Sequence, residues 1–278
     1  MTCDLHRVDS RTLALPASLP QAARVELGRA FRPPYETLIV LAVNGLLMSG
    51  LWLWAPGSWK NSLFSLHGPL AFAMVLGGWM ISDVPATNVL GSDARRMSEV
   101  LSDPEMFRRL LFAKNLALWI FVCPLCSAIA LGIGLDNHDY LAMLIAILAM
   151  MIIPFGALGI SAWVGVRFPY HPIPLSERWS HRRPWGYMVL RWLVLVTTPY
   201  WLVPTVIFAF ITPTLLLWGI SAQNGLTGRL SDGEFAWGVL LACGLSLVGA
   251  VVGLRVSERW ARRRRVKLSA FLEDRSLG

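Results

Sequence analysis

The chain has 278 residues, 55% of them hydrophobic and only 15% charged, and 25 Lys and Arg against 17 Asp and Glu leave a net charge of +8. A soluble domain carries about 25% charged residues, so this surface is short of charge, and thirteen tryptophans and a mean hydropathy of +0.54 point the same way. These figures exclude a disordered chain, a nucleic-acid-binding domain and a secreted disulfide scaffold. They read as an all-α polytopic membrane protein. Four cysteines (Cys3, Cys123, Cys126, Cys243) are too few for a disulfide framework, and three of them fall inside apolar runs.

Residues 1–34 are polar, with no small-residue cleavage site behind the first apolar run, so no cleavable signal peptide is expected. Within them, 19–34 reads LPQAARVELGRAFRPP, with Ala23, Leu27, Ala30 and Phe31 at helical spacing. That pattern predicts an amphipathic helix in the headgroup plane, stopped by Pro33 and Pro34, or a plain membrane-proximal anchor. The first span, 35–54, carries Asn44 at its middle. The second, 63–82, is flanked by His67 and Asp83. Polar groups inside a membrane are costly and call for a partner; Arg191 could pair with Asp83, while the plainer expectation for it is snorkelling. For Asn44 the plainer expectation is an interhelical hydrogen bond.

The loop 88–115 is long for a connection between spans. Asp103-Pro104-Glu105 is a helix start, with Asp at the N-cap, Pro at the first helical position and Glu in the first turn. Before it, Met97, Val100 and Leu101 give a second short helix an apolar edge, fit either for a docking partner or for lipid. The third span, 115–134, contains Cys123 and Cys126 around Pro124; the redox spacing lacks its soluble context, and kinked-helix packing is the expectation. The fourth span is 141–164. The segment 167–184 holds four prolines and is expected to be extended, with His171 and His181 solvated and no metal site.

The apolar stretch 185–220 is too long for one span and is interrupted by Pro199, Pro204 and Pro213. The expectation is a fifth span, 187–210, followed by a short re-entrant helix near Thr212–Ile220. The last span, 235–254, has Gly249 and Gly253 as a small-xxx-small face for helix packing or a dimer seam. A basic tail, 255–278, follows. With six spans across 35–254 and both termini inside, 23 of the 25 basic residues lie on one side and only Lys60 and Arg229 on the other. That asymmetry is the positive-inside bias. Phosphate-loop, metalloprotease and nucleophile-elbow motifs are absent.

The order of these segments resembles the permease subunits of ABC-2-type exporters. VELGRAFRPPYETLIVL is similar to the family's connecting helix leading into the first span. NVLGSDARRMSEVLSDPEMFRRLLFAKNLA resembles its loop of the form N-x-x-G-x-D followed by a proline-headed helix, with Ala113 where the family often has Gly. GVRFPYHPIP and the proline-broken fifth stretch are similar to further segments of some members. The resemblance implies a bacterial inner-membrane protein that is not itself an enzyme and carries no cofactor. ATP and Mg would sit on separate cytosolic ATPase subunits, and a second permease subunit, identical or paralogous, would complete the path. It implies coupling to the ATPases through Asp93, Arg95, Arg96, Glu99, Leu101, Asp103 and Pro104, with Arg108 and Arg109 behind them. It also makes Asn44 and Asp83 candidates for lining the path of a lipid-like substrate or drug. On that reading Leu101→Asp or Arg96→Glu uncouples transport without unfolding the spans. The alternatives are a secondary transporter, which lacks the matching helix breaks in two halves, and a membrane-embedded lipid-modifying enzyme. The latter has only Asp83 and His67, about 24 Å apart at helical rise.

Overall fold

The computed structural model describes residues 18–33, 35–57, 62–63, 66–171, 173, 175–180, 184, 186–223 and 230–274. Within them the chain is all-helical apart from a minimal hairpin. The elements are α1 (Leu19–Ala30), α2 (Glu36–Trp54), β1 (Ser62–Leu63), β2 (Leu66–His67), α3 (Gly68–Ile81), α4 (Val84–Thr87), a 3₁₀ turn (Gly91–Asp93), α5 (Ala94–Val100), α6 (Pro104–Asp136), α7 (Tyr140–Arg167), α8 (Leu175–Ser180), α9 (Gly186–Gln223), α10 (Asp232–Arg263) and α11 (Arg265–Glu273). Five helices, α2, α6, α7, α9 and α10, are long and apolar enough to cross a membrane.

The expected second span is shorter than its apolar run. Residues 63–82 divide into strand residues paired antiparallel (Ser62 with His67, Leu63 with Leu66) and the 14-residue α3. At helical rise α3 is about 21 Å long against a hydrocarbon core of about 30 Å. Its end is set by Asp83, which caps α4 by accepting from the Val84 amide, with Pro85 in the first turn.

The break expected in the fifth stretch is not there. Residues 186–223 form one 38-residue helix with Pro199, Pro204 and Pro213 inside it, so Thr212–Ile220 is no separate element. Each proline removes a backbone donor. Thr197, Thr198, Thr205 and Thr212 each donate to a carbonyl three or four residues back, none of them the carbonyl four residues before a proline.

Asp103 caps α6 as its spacing predicts, accepting from the amides of Glu105 and Met106 with Pro104 at the first position. The helix runs unbroken past Pro124, with Cys123 and Cys126 buried as free thiols. Connections elsewhere are equally local. Ser231 and Glu234 form a capping box at the start of α10.

Helix α7 is the centre of the bundle and packs most extensively on α10. The contact is a seam of small residues, Gly156 and Gly159 facing Ser246, Gly249, Ala250 and Gly253. The small-xxx-small face of the last span is therefore spent inside the chain. Three apolar clusters stack along the bundle, around Leu70 and Ala146, around Met80 and Cys123, and around Leu101 and Leu110. The third one includes Leu268 and Leu272 of α11. Residues 255–263 thus extend α10, and α11 folds back on α5; the segment read as a basic tail is helical to Glu273.

Candidate functional site

The ends of α1, α5, α6 and α11 meet at one charged end of the bundle. There α1 docks on α6 through Ala22 and Ala23 and through the carboxylate of Glu26. Glu26 accepts from Arg96 of α5 at 2.5 Å and lies 3.6 Å from Arg29 and 3.8 Å from Lys114 of α6. Asp93 pairs with Arg29 and sits 3.5 Å from Arg96 and 3.6 Å from Lys114. Arg96 is only 1% exposed. Burial alone would raise the Asp93 carboxyl, but Lys114, Arg29 and Arg96 hold it below the usual carboxylate range. Arg29 is raised in turn, since Asp93 and Glu26 outweigh its desolvation. Three cations and two carboxylates thus lock α1, the loop and α6 into one unit.

The residues that the resemblance marks for coupling divide between this interior and the rim. Asp93 and Arg96 are inside the network. Leu101 is buried with Met97 and Val100 against Leu268 and Leu272, so the apolar edge has its cover within the chain. Arg96→Glu and Leu101→Asp therefore strike the interior and do not spare the packing of α5. Glu99, Asp103 and Pro104 are exposed. Arg108 lies 3.5 Å from Glu258 of α10, Arg109 is 3.0 Å from Glu105, and Arg95 lies on α5. Gly91 has a steric reason to be glycine, since a Cβ there would meet the Tyr170 carbonyl and the Asn88 side chain.

Two further expectations change. His171 is buried, not solvated; its Nε2 lies 2.7 Å from the Phe271 carbonyl and its ring stacks on Phe271 at 4.8 Å. His181 lies outside the described residues. Among the described residues no group of His, Cys, Asp and Glu is placed to hold a metal.

Asn44 and Asp83, singled out separately in the sequence, meet. Asn44 Nδ2 donates to Asp83 Oδ2, and the Tyr200 hydroxyl of α9 donates to the same oxygen at 3.0 Å. Arg191 is not the partner of Asp83; it donates to the Pro169 carbonyl at 3.1 Å and lies over the Phe271 ring. The Asp83 carboxyl thus ties α2 to α9 besides capping α4. Tyr200→Phe removes one of its donors and is expected to cost about 1–2 kcal/mol, measured as a lowered unfolding midpoint in detergent. Nothing in the sequence marks Tyr200, which sits 117 positions from its acceptor.

Between α1, α2, α4, α6 and α9 lies a cavity of about 680 Å³. Glu26, Arg29 and Lys114 of the network form part of its wall, and Arg32, Glu36 and Tyr170 form another. Apolar lining comes from Phe121, Leu118, Trp192 and Val196. A charged rim beside an apolar wall suits an amphiphile. No protein family, curated protein or solved structure matches this chain.

Proposed function

We propose that the chain is the membrane-spanning permease subunit of an ATP-driven exporter, moving an amphiphilic substrate with the help of separate ATPase subunits and a second permease subunit. On this reading α2, α3, α6, α7, α9 and α10 are the six spans, and the charged end with both termini faces the cytoplasm of a bacterial inner membrane. The positive-inside bias supports the orientation.

The observation that supports coupling is the rigidity of the charged end. A partner can shift an equilibrium only by binding two states differently. A push on the exposed rim at Glu99 and Asp103 meets α5, which the buried network ties to α1 and to α6, which runs on for 33 residues into the bundle. Among the rim residues Glu99 is suited to a test, because it is exposed and neither caps a helix nor joins the network.

The test is co-expression with the ATPase encoded by a neighbouring reading frame. The expected result is co-purification of the two proteins and substrate-stimulated ATP hydrolysis. Glu99→Arg, a rim charge reversal, is expected to slow association with the ATPase and so to lower that hydrolysis, with an unchanged unfolding midpoint. Absence of any association overturns the reading.

A further inference from the structure

The cavity at the charged end has three features that bear on what it holds. First, its wall carries one cation and one carboxylate that are not consumed internally. Arg29, Lys114 and Glu26 are spent on the network, whereas Arg32 and Glu36 form no ion pair among the described residues.

Second, the Tyr170 side chain lines the cavity, is only 5% exposed, and its hydroxyl has no hydrogen-bond partner among the described residues. Burial, and the negative field of Asp83 and Glu36, push that phenol well above its ordinary value, so it stays a neutral hydroxyl without a partner among the described residues. A buried polar group left unpaired is costly unless something else satisfies it.

Third, α2 and α9 flank the cavity and are joined through Asp83, to which Asn44 and Tyr200 both donate, rather than by an extensive direct contact among the described residues. Ile39 and Val43 of α2 and Leu193 of α9 are exposed, on the helices that supply the lining residues Thr37, Trp192 and Val196. A ligand with a polar head in the cavity has an apolar way out between them.

We propose that this cavity binds the headgroup of a zwitterionic phospholipid carrying a primary ammonium, with its acyl chains leaving between α2 and α9. Arg32 takes the phosphodiester, and Glu36 with the Tyr170 hydroxyl oxygen takes the ammonium. One free charge of each sign selects a zwitterion over a plain anion, and the carboxylate selects an ammonium that donates hydrogen bonds. The proposal rests on the exporter reading only in treating the bound lipid as cargo; binding itself requires no ATPase.

The experiment is native mass spectrometry of the full chain released from detergent, titrated with dioctanoyl phosphatidylethanolamine, dioctanoyl phosphatidylglycerol and free phosphoethanolamine. Phosphatidylethanolamine is expected to bind about tenfold tighter than phosphatidylglycerol, the worth of one charge-assisted contact. Free phosphoethanolamine is expected not to compete. Glu36→Gln is expected to erase the preference, and Arg32→Gln to weaken both lipids. Val196→Trp, which fills the apolar wall, is expected to remove both without lowering the unfolding midpoint. Equal affinity for the two lipids, or a preference that survives Glu36→Gln, overturns the proposal. Full competition by free phosphoethanolamine overturns the lipid assignment in favour of a soluble ligand. Association with an ATPase is measured separately, so a failure of the exporter reading leaves this ratio unaffected.

Discussion

Glu26→Leu is expected to destabilise the protein by about 3–5 kcal/mol, whereas Arg96→Met, at the more deeply buried partner, is expected to cost far less. The ordering follows from the charge count. The network holds Arg29, Arg96 and Lys114 against Glu26 and Asp93. Removing Glu26 leaves three cations facing one carboxylate, and an uncompensated buried charge costs about 3–5 kcal/mol. Removing Arg96 leaves two of each sign and also takes away its Nε and Nη2, which are buried with no partner among the described residues. The double variant is expected to regain most of what Glu26→Leu loses, since exchanging a whole buried pair for apolar groups is often neutral. Unfolding midpoints of the four proteins in one detergent give the cycle. If Arg96→Met is the worse single variant, the network is not governed by charge balance.

The same network fixes a dependence on pH. The Asp93 carboxyl lies below its ordinary value of 3.8 in the folded chain. Its contribution is therefore fully present above 3.8 and is lost as the pH falls from there through the lower native value. The wild type is expected to show that loss, and Asp93→Asn, already weakened at neutral pH, is expected to lack it.

Much of this arrangement is legible along the chain where a local rule governs it. Asp103-Pro104 marks the start of α6 because capping depends on neighbours two and three positions away. Gly249 and Gly253 announce a close helix contact by their spacing alone, but not that the partner is α7 of the same chain. Asn44 and Asp83 stand out as polar groups in apolar surroundings, while the hydroxyl that completes their cluster comes from a distant helix. The misread segments are those where one strong signal masks a weaker one. Arg262 to Arg265 make the last residues read simply as a basic tail, yet Leu268, Phe271 and Leu272 repeat at helical spacing and cover the apolar edge of α5. Prolines in 167–184 point to solvated extended chain, while His171 gains burial by packing on Phe271, 100 positions away. The three prolines of α9 read as breaks because each removes a backbone donor, yet one helix runs through all three.

Gly253→Val is expected to prevent correct folding outright, a loss beyond about 4 kcal/mol and above ordinary overpacking, because the clash is with backbone. A Cβ at Gly253 meets the backbone carbonyl of Gly159, and a Cβ at Gly159 comes to 2.7 Å from the Ala250 Cα. Neither neighbour is the far end of a flexible side chain, so one helix has to move as a whole. Such movement breaks more than the seam. Ser246 Oγ accepts from the Gly156 amide at 3.0 Å and lies 2.8 Å from the Ile153 carbonyl, bonds that require the two backbones at their present separation. Apolar helices in lipid gain nothing from water exclusion between them, so close backbone approach and these hydrogen bonds are what hold α7 to α10. Gly244 lies on the same helix with open space where its Cβ would be, and Gly244→Val is expected to behave as the wild type. Size-exclusion profiles of the detergent-extracted proteins separate the outcomes: a monodisperse peak for Gly244→Val and aggregate for Gly253→Val. A folded Gly253→Val that merely falls from dimer to monomer would instead place these glycines between two copies of the chain, and would overturn the intramolecular seam.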